Sequence, residues 1–318
     1  MKNNKFLKTT NIRHIVTSSD ANYLHKAIVL YKSLSKFHDN FLLHVFCFDN
    51  ITYNVLKQLN YKNIKIYHPT DFETAELLKD KASKTKRREY YWACNPFITR
   101  KVLIEQNTDF VSSCDCDLMF FQSPEIIFSE LGNADVLIQP NNFSYQFVND
   151  FTRVGYYCTS FQCFRKNENG INILNWWHKK TMEWCYSIFE DGKFGEQKYL
   201  DDWRIRFKKV REIANVGTNI APWNVQKFVI SKQEDQIVIN DKYPLIYYHY
   251  HSFRMNLSDY RYIITGDRDN YYPIPPKVVK LIYKPYIKIL KETIIELKKF
   301  EDYKKYVQTN PKGIQQPF

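Results

Sequence analysis

Residues 12–20 read IRHIVTSSD, and residues 21–37 continue as ANYLHKAIVLYKSLSKF. The first segment is a short run of β-branched residues that ends in small polar ones, as expected for a buried strand followed by a turn. The second segment has apolar residues at helical spacing, namely Ala27, Leu30, Tyr31 and Leu34. Together the two segments predict a strand, a polar turn and a helix.

The same alternation is repeated directly after this unit. Residues 41–50 (FLLHVFCFDN) predict a second buried strand, residues 51–60 (ITYNVLKQLN) a helix, and residues 64–69 (IKIYHP) a third strand. Strands that alternate with helices at this spacing form βαβ units, in which the strands are parallel. The sequence therefore predicts an α/β fold with a Rossmann-like, mostly parallel sheet flanked by helices.

The rest of the chain mixes helices with aromatic strands. Residues 90–106 have a helical pattern despite Pro96, and they lead into a strand that we expect over residues 109–121. Another helix is predicted over residues 171–189. The end of the chain is rich in Lys and Tyr and mostly helical, and Pro285 is expected to break or kink one of its helices.

The composition is that of a folded protein without a glycine-rich phosphate loop. Of the 318 residues, 44% are hydrophobic and 25% charged, and only 8 are Gly. No G-x-G-x-x-G or Walker A pattern is present. The 7 Cys residues are odd in number and lack the spacing of a structural zinc site, so we expect reduced thiols. Since no segment resembles a signal peptide or a spanning helix, we expect a soluble cytoplasmic protein.

The chain is basic, with a formal net charge of +12. Residues 79–88 hold six basic groups against one acid, and residues 277–305 hold nine Lys against four acids. Such patches suit nucleic acid, a phosphate-bearing substrate or an anionic membrane surface. Because the sequence has no helix-turn-helix, zinc-finger or RNP signature, we expect no nucleic-acid partner.

Residues 113–121 (SCDCDLMFF) place two thiols and two carboxylates at four consecutive positions. If this segment is one strand, Asp115 and Asp117 point to one face while Cys114 and Cys116 point to the other. Paired carboxylates suit Mg²⁺ or Mn²⁺, ions that usually bridge protein oxygens to substrate phosphates. The alternative is that the two Asp residues merely end a strand in a turn. The apolar flanks favour a cation, because burying two unpaired acids is costly.

This strand resembles the D-x-D strand of GT-A glycosyltransferases, in particular family 8 and related bacterial surface-polysaccharide enzymes. Four further segments resemble elements of that family in the same order: residues 15–34 (IVTSSDANYLHKAIVLYKSL), 194–203 (FGEQKYLDDW), 215–224 (NVGTNIAPWN) and 247–253 (YYHYHSF). The resemblance covers about residues 12–255. It implies a GT-A catalytic domain over residues 1–255, followed by a basic, mostly helical extension over residues 256–318.

The resemblance assigns the nucleoside to the first βα turn. Ser18, Asp20 and Asn22 take the positions where the family holds the nucleoside, and Tyr23 is expected to pack beside the base. An alternative role for Asp20 or Asn22 is to cap the following helix. The two roles are compatible at one turn.

The resemblance also implies a metal site. Asp115 and Asp117 would hold a divalent ion against the donor diphosphate, with a His from the late motif. The family spacing of His, two residues and a small residue favours His249 with Ser252, and His251 remains the rival. An imidazole with two carboxylates suits Mn²⁺ better than a strict Mg²⁺ site. The alternative is a structural histidine among aromatic rings.

Four further residues are expected near the reacting groups. Glu196 and Gln197 fall where the family has Asp-Gln beside the donor sugar, although Glu is one methylene longer than Asp. Asp201 and Asp202 follow and would approach the acceptor, or else lie on a solvated helix face. The family's Arg or Lys on the helix before the D-x-D strand has no clear counterpart, and the positive charge would come from one of four residues: Lys84, Lys86, Arg87 or Arg88.

The implied activity is metal-dependent transfer of a sugar, with retention, from a nucleotide-diphospho-sugar such as a UDP-sugar to a saccharide or lipid-linked acceptor. Surface glycan synthesis would be its setting. The rival classes are a catalytically silent nucleotide-sugar-binding protein and a basic nucleic-acid-binding protein. Residues 276–300 mix Lys with apolar residues, so this segment would either lie on an anionic membrane surface or pack on the domain.

Overall fold

The computed structural model describes residues 12–265 and 272–311 of the chain. Its strands, in chain order, are β1 (Arg13–Ser19), β2 (Phe41–Cys47), β3 (Ile64–Tyr67), β4 (Phe110–Cys114), β5 (Leu118–Phe120), β6 (Val136–Pro140), β7 (Tyr157–Arg165), β8 (Val210–Glu212), β9 (Ile230–Gln233), β10 (Gln236–Ile239), β11 (Tyr243–Pro244), β12 (Tyr247–His249), β13 (Arg254–Met255) and β14 (Tyr262–Ile263). Its α-helices are α1 (Leu24–Phe37), α2 (Asn50–Leu59), α3 (Ala75–Ser83), α4 (Arg87–Glu105), α5 (Glu125–Phe128), α6 (Asp150–Val154), α7 (Glu168–Glu183), α8 (Trp203–Arg206), α9 (Pro276–Val278), α10 (Lys284–Leu297) and α11 (Glu301–Thr309).

A seven-stranded sheet in the order β3-β2-β1-β4-β7-β6-β8 forms the centre. Strands β1 to β4 run parallel to one another, and β7 is antiparallel to both β4 and β6. The predicted α/β architecture with a mostly parallel sheet is therefore confirmed. One core cluster contains residues of α1 and α10, and a second contains residues of α4 and α7.

The predicted single strand over residues 109–121 is wrong, because the chain turns at residues 115–117. β4 pairs with β1 and β7 in the central sheet as far as Cys114. β5 instead pairs with β12 in a separate two-stranded sheet, where Leu118 lies opposite His249. Since the segment passes from one sheet to another, strand alternation does not place its carboxylates.

Three of the predicted helices can be compared with the structure. The helix predicted around Pro96 is α4, and Pro96 lies inside it as expected. The helix predicted over residues 171–189 is α7, which ends at Glu183 because Trp184 is extended. Pro285 lies in the first turn of α10, directly after a π-helical turn over Val279–Tyr283, and such turns accommodate irregular hydrogen bonding in a helix.

The C-terminal helices belong to the same core as the sheet. Tyr286 and Leu290 of α10 and Tyr303 of α11 have no exposed surface and lie in the core cluster that contains β1 and α1. The boundary at residue 255/256 stays a prediction, and residues 1–11, 266–271 and 312–318 of the two predicted segments lie outside the described residues. Among the described helices, none combines the length and apolar character needed to cross a bilayer.

Candidate metal and nucleotide site

Asp115, Asp117 and His249 form a cluster at the end of the central sheet, which we call the carboxylate–histidine cluster. The two Asp residues lie on the turn after β4, and the pairing of β5 with β12 brings His249 to them. Nε2 of His249 lies 3.1 Å from Oδ1 of Asp117 and 3.7 Å from Oδ2 of Asp115. One ligand atom from each residue lies within 4.8 Å of the others, a spacing that one cation can bridge.

The electrostatics of the cluster favour a bound positive charge. Burial disfavours the charged forms of Asp117 and His249, but their mutual attraction outweighs it, so the pKa of Asp117 is lowered and that of His249 is raised. Burial, opposed by His249 and helped by Asp117, raises the pKa of Asp115 to about 7. Two carboxylates and an imidazole form the donor set of a divalent-metal site. The residues present therefore fit a divalent cation.

His251 lies outside this cluster. Its ring centroid is 5.7 Å from that of His249, and Trp223 contacts both rings edge-on at 5.3 and 5.4 Å. Burial, followed by the charges of His249, Lys26 and Arg88, lowers the pKa of His251 to about 3, against the opposing effect of Asp117. His251 is therefore a neutral ring beside the cluster.

The residues expected to bind the nucleoside lie at the end of the neighbouring strand β1. Asp20 is buried, and its carboxylate accepts hydrogen bonds from the backbone N–H of Tyr23 at 3.1 Å and from the phenol of Tyr91 at 3.1 Å. Burial and the nearby Asp49 raise the pKa of Asp20 to about 6. Asn22 is buried as well, and Ser18 is partly exposed on β1. Asp20 thus shapes the turn before α1, but neither it nor Asn22 is the helix cap that the alternative predicted, because Tyr23 is the N-cap and no side-chain capping hydrogen bond is present.

The C-terminal extension contributes to this end of the site. The phenol of Tyr306 on α11 donates a hydrogen bond to Oδ1 of Asn22. Sequence reasoning missed Tyr306 and Tyr91, because their contacts are with residues distant along the chain. The only indication in the sequence was its high Tyr content, which does not point to any particular tyrosine.

Lys26 on α1 was also missed. Its side chain is 5% exposed, with Nζ 3.7 Å from Oδ2 of Asp117 and 4.2 Å from the ring centroid of Tyr23. Burial opposes its charge, but Tyr23 and Asp117 more than compensate, so the pKa of Lys26 is raised. The signal was present in the sequence, since Lys26 precedes the buried Leu30 by one helical turn and lies on the apolar face.

Glu196 is a buried acid near the cluster. It is 4% exposed and accepts a hydrogen bond from Oγ1 of Thr159 at 2.9 Å. Burial, partly offset by a backbone hydrogen bond and reinforced by the charge of Asp115, raises its pKa to about 8. Glu196 is therefore mostly protonated at neutral pH. The neighbouring Gln197 donates through Nε2 to the carbonyl of Val154.

Asp201 and Asp202 make structural contacts on a short 3₁₀ helix over Lys198–Asp202. Asp201 accepts a hydrogen bond from the N–H of Tyr156 at 2.7 Å and pairs with Lys198 at 2.9 Å. Asp202 pairs with Arg206, and both side chains are 44% exposed. Within the described part of the chain, no hydrogen bond or ion pair joins either acid to the carboxylate–histidine cluster.

Four basic residues were considered as counterparts of the family's Arg or Lys before the D-x-D turn, and two of them lie at the start of α4. Lys84 is buried in an ion pair with Asp80 at 2.8 Å, and Lys86 donates to Ser187. Arg87 and Arg88 are the first residues of α4. Arg88 lies over the ring of Trp92 and contributes to the lowered pKa of His251, so its charge acts at the site.

No protein-family model matches the chain. It is similar to two proteins of Bacillus subtilis (strain 168) that are described as uncharacterized. YfnF is 30% identical over 239 residues, which are 73% of this chain and 78% of YfnF. YfnD is 27% identical over 298 residues, which are 91% of this chain and 93% of YfnD. Among solved structures, the galactosyltransferase LgtC in complex with donor and acceptor sugar analogs matches 88% of this chain and 95% of its own, with a TM-score of 0.57 and 15% identity. That likeness shows the GT-A fold.

Proposed function

Because the chain belongs to the same family as YfnF and has the GT-A fold of LgtC, we propose that it is a metal-dependent glycosyltransferase. The observation that carries this proposal is the carboxylate–histidine cluster at the end of β4, beside the nucleoside residues expected at the end of β1. In open α/β sheets, ligands bind at the carboxyl ends of the strands. A nucleotide-diphospho-sugar, in particular a UDP-sugar, is the substrate that needs both groups of residues.

The cluster would hold the cation against the donor diphosphate. Asp115, Asp117 and His249 are the proposed ligands, and His251 is the less favoured alternative because it lies outside the cluster. A bound Mn²⁺ or Mg²⁺ would supply Lewis-acid stabilisation of the departing diphosphate. Trp223 fixes the orientation of His249 by packing against its ring.

The nucleoside would occupy the turn after β1. Asp20, Asn22 and Ser18 would contact the base or ribose, and Tyr23 would pack beside the base. The buried positions of Asp20 and Asn22 support this role, because each carries a polar group that is already oriented by a partner, Tyr91 or Tyr306.

The donor sugar would lie beside Glu196 and Gln197. A protonated Glu196, held by Thr159, has a hydroxyl proton that it would donate to a sugar oxygen. Asp201 would act on the acceptor side by holding the loop that contains Tyr156, and Asp202 would contribute from the same 3₁₀ helix. Retention of anomeric configuration is part of the proposal.

The acceptor would be a saccharide or a lipid-linked saccharide used in surface glycan synthesis. The acceptor sugar analog in the LgtC complex supports a saccharide. A cytoplasmic location is supported by the seven cysteines, all of which are free. A peripheral membrane contact through residues 276–300 would rely on their lysines and on the exposed Ile295, because Ile287, Leu290 and Ile294 face the core.

The alternative within the same fold is a catalytically silent protein that binds nucleotide-sugars. A screen of nucleotide-sugars for Mn²⁺-dependent hydrolysis and thermal stabilisation separates the two. Turnover of one donor by the wild type, lost in Asp117→Asn, would support the transferase. Stabilisation without turnover, with or without saccharide acceptors, would favour the silent protein. Absence of both would contradict a nucleotide-sugar site.

A further inference from the structure

Lys26 is a buried cation that lies beside the carboxylate–histidine cluster. It is the third residue of α1, and its ammonium lies 3.7 Å from Oδ2 of Asp117. The ammonium also lies over the ring of Tyr23, 4.2 Å from the ring centroid. A lysine this deeply buried is rare unless it is paired, and here one carboxylate and one aromatic face pair it.

The position of Lys26 joins the two ends of the proposed donor site. Strands β1 and β4 are neighbours, with Val16 opposite Ser113, so the turns that follow them lie side by side. Tyr23 is the N-cap of α1, and Lys26, three residues later, lies against Asp117. A donor that spans the nucleoside turn and the metal cluster therefore places its diphosphate near this ammonium.

The ammonium of Lys26 has opposite effects on the binding of the free divalent ion and on the binding of the nucleoside diphosphate. In the absence of a donor, Lys26 and a divalent ion are like charges that share Asp117, so Lys26 disfavours the free ion. A nucleoside diphosphate adds more negative charge than the ion alone neutralises. Lys26 then supplies further attraction inside a poorly solvated site, where charges act strongly.

We propose that Lys26 couples metal binding to donor binding: it weakens the binding of the free divalent ion and strengthens the binding of the nucleoside diphosphate together with the ion. This inference rests on the proposed function, because it assigns a diphosphate to the site. Lys26 is the second cation of the site and helps to ensure that the ion is retained mainly with the donor.

Calorimetric titration of Lys26→Gln tests the coupling, since Gln keeps a hydrogen-bond donor for Asp117 but removes the charge. Mn²⁺ alone should bind about threefold to tenfold more tightly than to wild type, and uridine diphosphate at saturating Mn²⁺ about tenfold more weakly. Lys26→Arg keeps the positive charge, so both affinities should be close to those of the wild type. Lys36→Gln, an exposed position on the same helix, should change neither.

A Lys26→Gln variant that weakens both ligands, or changes neither, would overturn the coupling. Lys26→Met provides a second neutral variant for the same titrations. If both neutral variants fail to fold with and without Mn²⁺, Lys26 serves the fold and the proposal is wrong. A wild type that binds no uridine diphosphate with any divalent ion would instead overturn the proposed function, and this inference with it.

Discussion

The phenol of Tyr306 on α11 donates a hydrogen bond to Oδ1 of Asn22, on the turn after β1. Tyr91 on α4 makes the equivalent contact with Asp20 at 3.1 Å. The two residues proposed to bind the nucleoside are thus each oriented by a tyrosine from another part of the chain. The C-terminal extension therefore forms part of the proposed donor site as well as part of the core.

Removing the phenol of Tyr306 should weaken nucleotide binding. In Tyr306→Phe, Asn22 loses the donor that orients its amide, and the affinity for uridine diphosphate should fall by about threefold to tenfold. Calorimetry with saturating Mn²⁺ measures this change. Tyr303→Phe is the matched control on the same helix, because the hydroxyl of Tyr303 is buried with no hydrogen-bond partner among the described residues. Unchanged or tighter binding by Tyr306→Phe would show that this phenol does not support the nucleotide.

Truncating Leu290 should destabilise the whole protein. Leu290 on α10 has no exposed surface and lies in the core cluster that contains β1 and α1. We expect Leu290→Ala to lower the free energy of unfolding by about 2 to 4 kcal/mol. Ile295→Ala, on the same helix but 53% exposed, should change it by less than about 0.5 kcal/mol.

Urea denaturation followed by two probes, one in the sheet domain and one on α10, measures the effect. Two separate transitions, with only the α10 signal shifted, would show that the extension folds independently. For the same reason, membrane binding by this segment should be tested by replacing its exposed lysines, since removal of the segment would expose the core.

The buried Glu196 should make stability depend on pH. Its pKa is raised to about 8 in the folded state from 4.5, so the folded protein holds a proton that the unfolded chain releases over this range. The free energy of unfolding should therefore fall as pH rises from about 5 to about 8, by about 2 to 4 kcal/mol from this group. The Gln side chain in Glu196→Gln does not titrate, so the free energy of unfolding of this variant, measured by urea denaturation, should depend less on pH. Parallel profiles for the two proteins would contradict a buried, protonated Glu196.

The helices and strands of the first half were predictable because their patterns are local. β1, α1, β2, α2 and β3 follow from apolar spacing and turn residues, and the parallel sheet follows from their alternation. The order β3-β2-β1-β4 and the antiparallel β7 depend on pairing between distant segments. Such pairing leaves no local signal.

The same contrast between local patterns and contacts of distant segments applies to the site. The sequence identified Asp115, Asp117 and His249, but it placed the carboxylates by alternation along a strand that the structure interrupts. The turn exists because β5 pairs with β12, more than a hundred residues later along the chain. The apolar face of α1 indicates that Lys26 is buried, but its contact with Asp117, like the contact of Tyr306 with Asn22, joins segments that are distant along the chain.

The central claim is that Asp115, Asp117 and His249 hold a divalent ion for a nucleoside diphosphate. Calorimetric titration of Mn²⁺ and then uridine diphosphate into wild type, Asp117→Asn and Cys116→Ser tests it most directly. Cys116 lies on the same turn and is the matched control. We expect wild type and Cys116→Ser to bind both ligands equally, and Asp117→Asn to bind Mn²⁺ at least about tenfold more weakly and to lose the Mn²⁺ dependence of nucleotide binding. Equal affinities of Asp117→Asn and wild type for both ligands would contradict the claim.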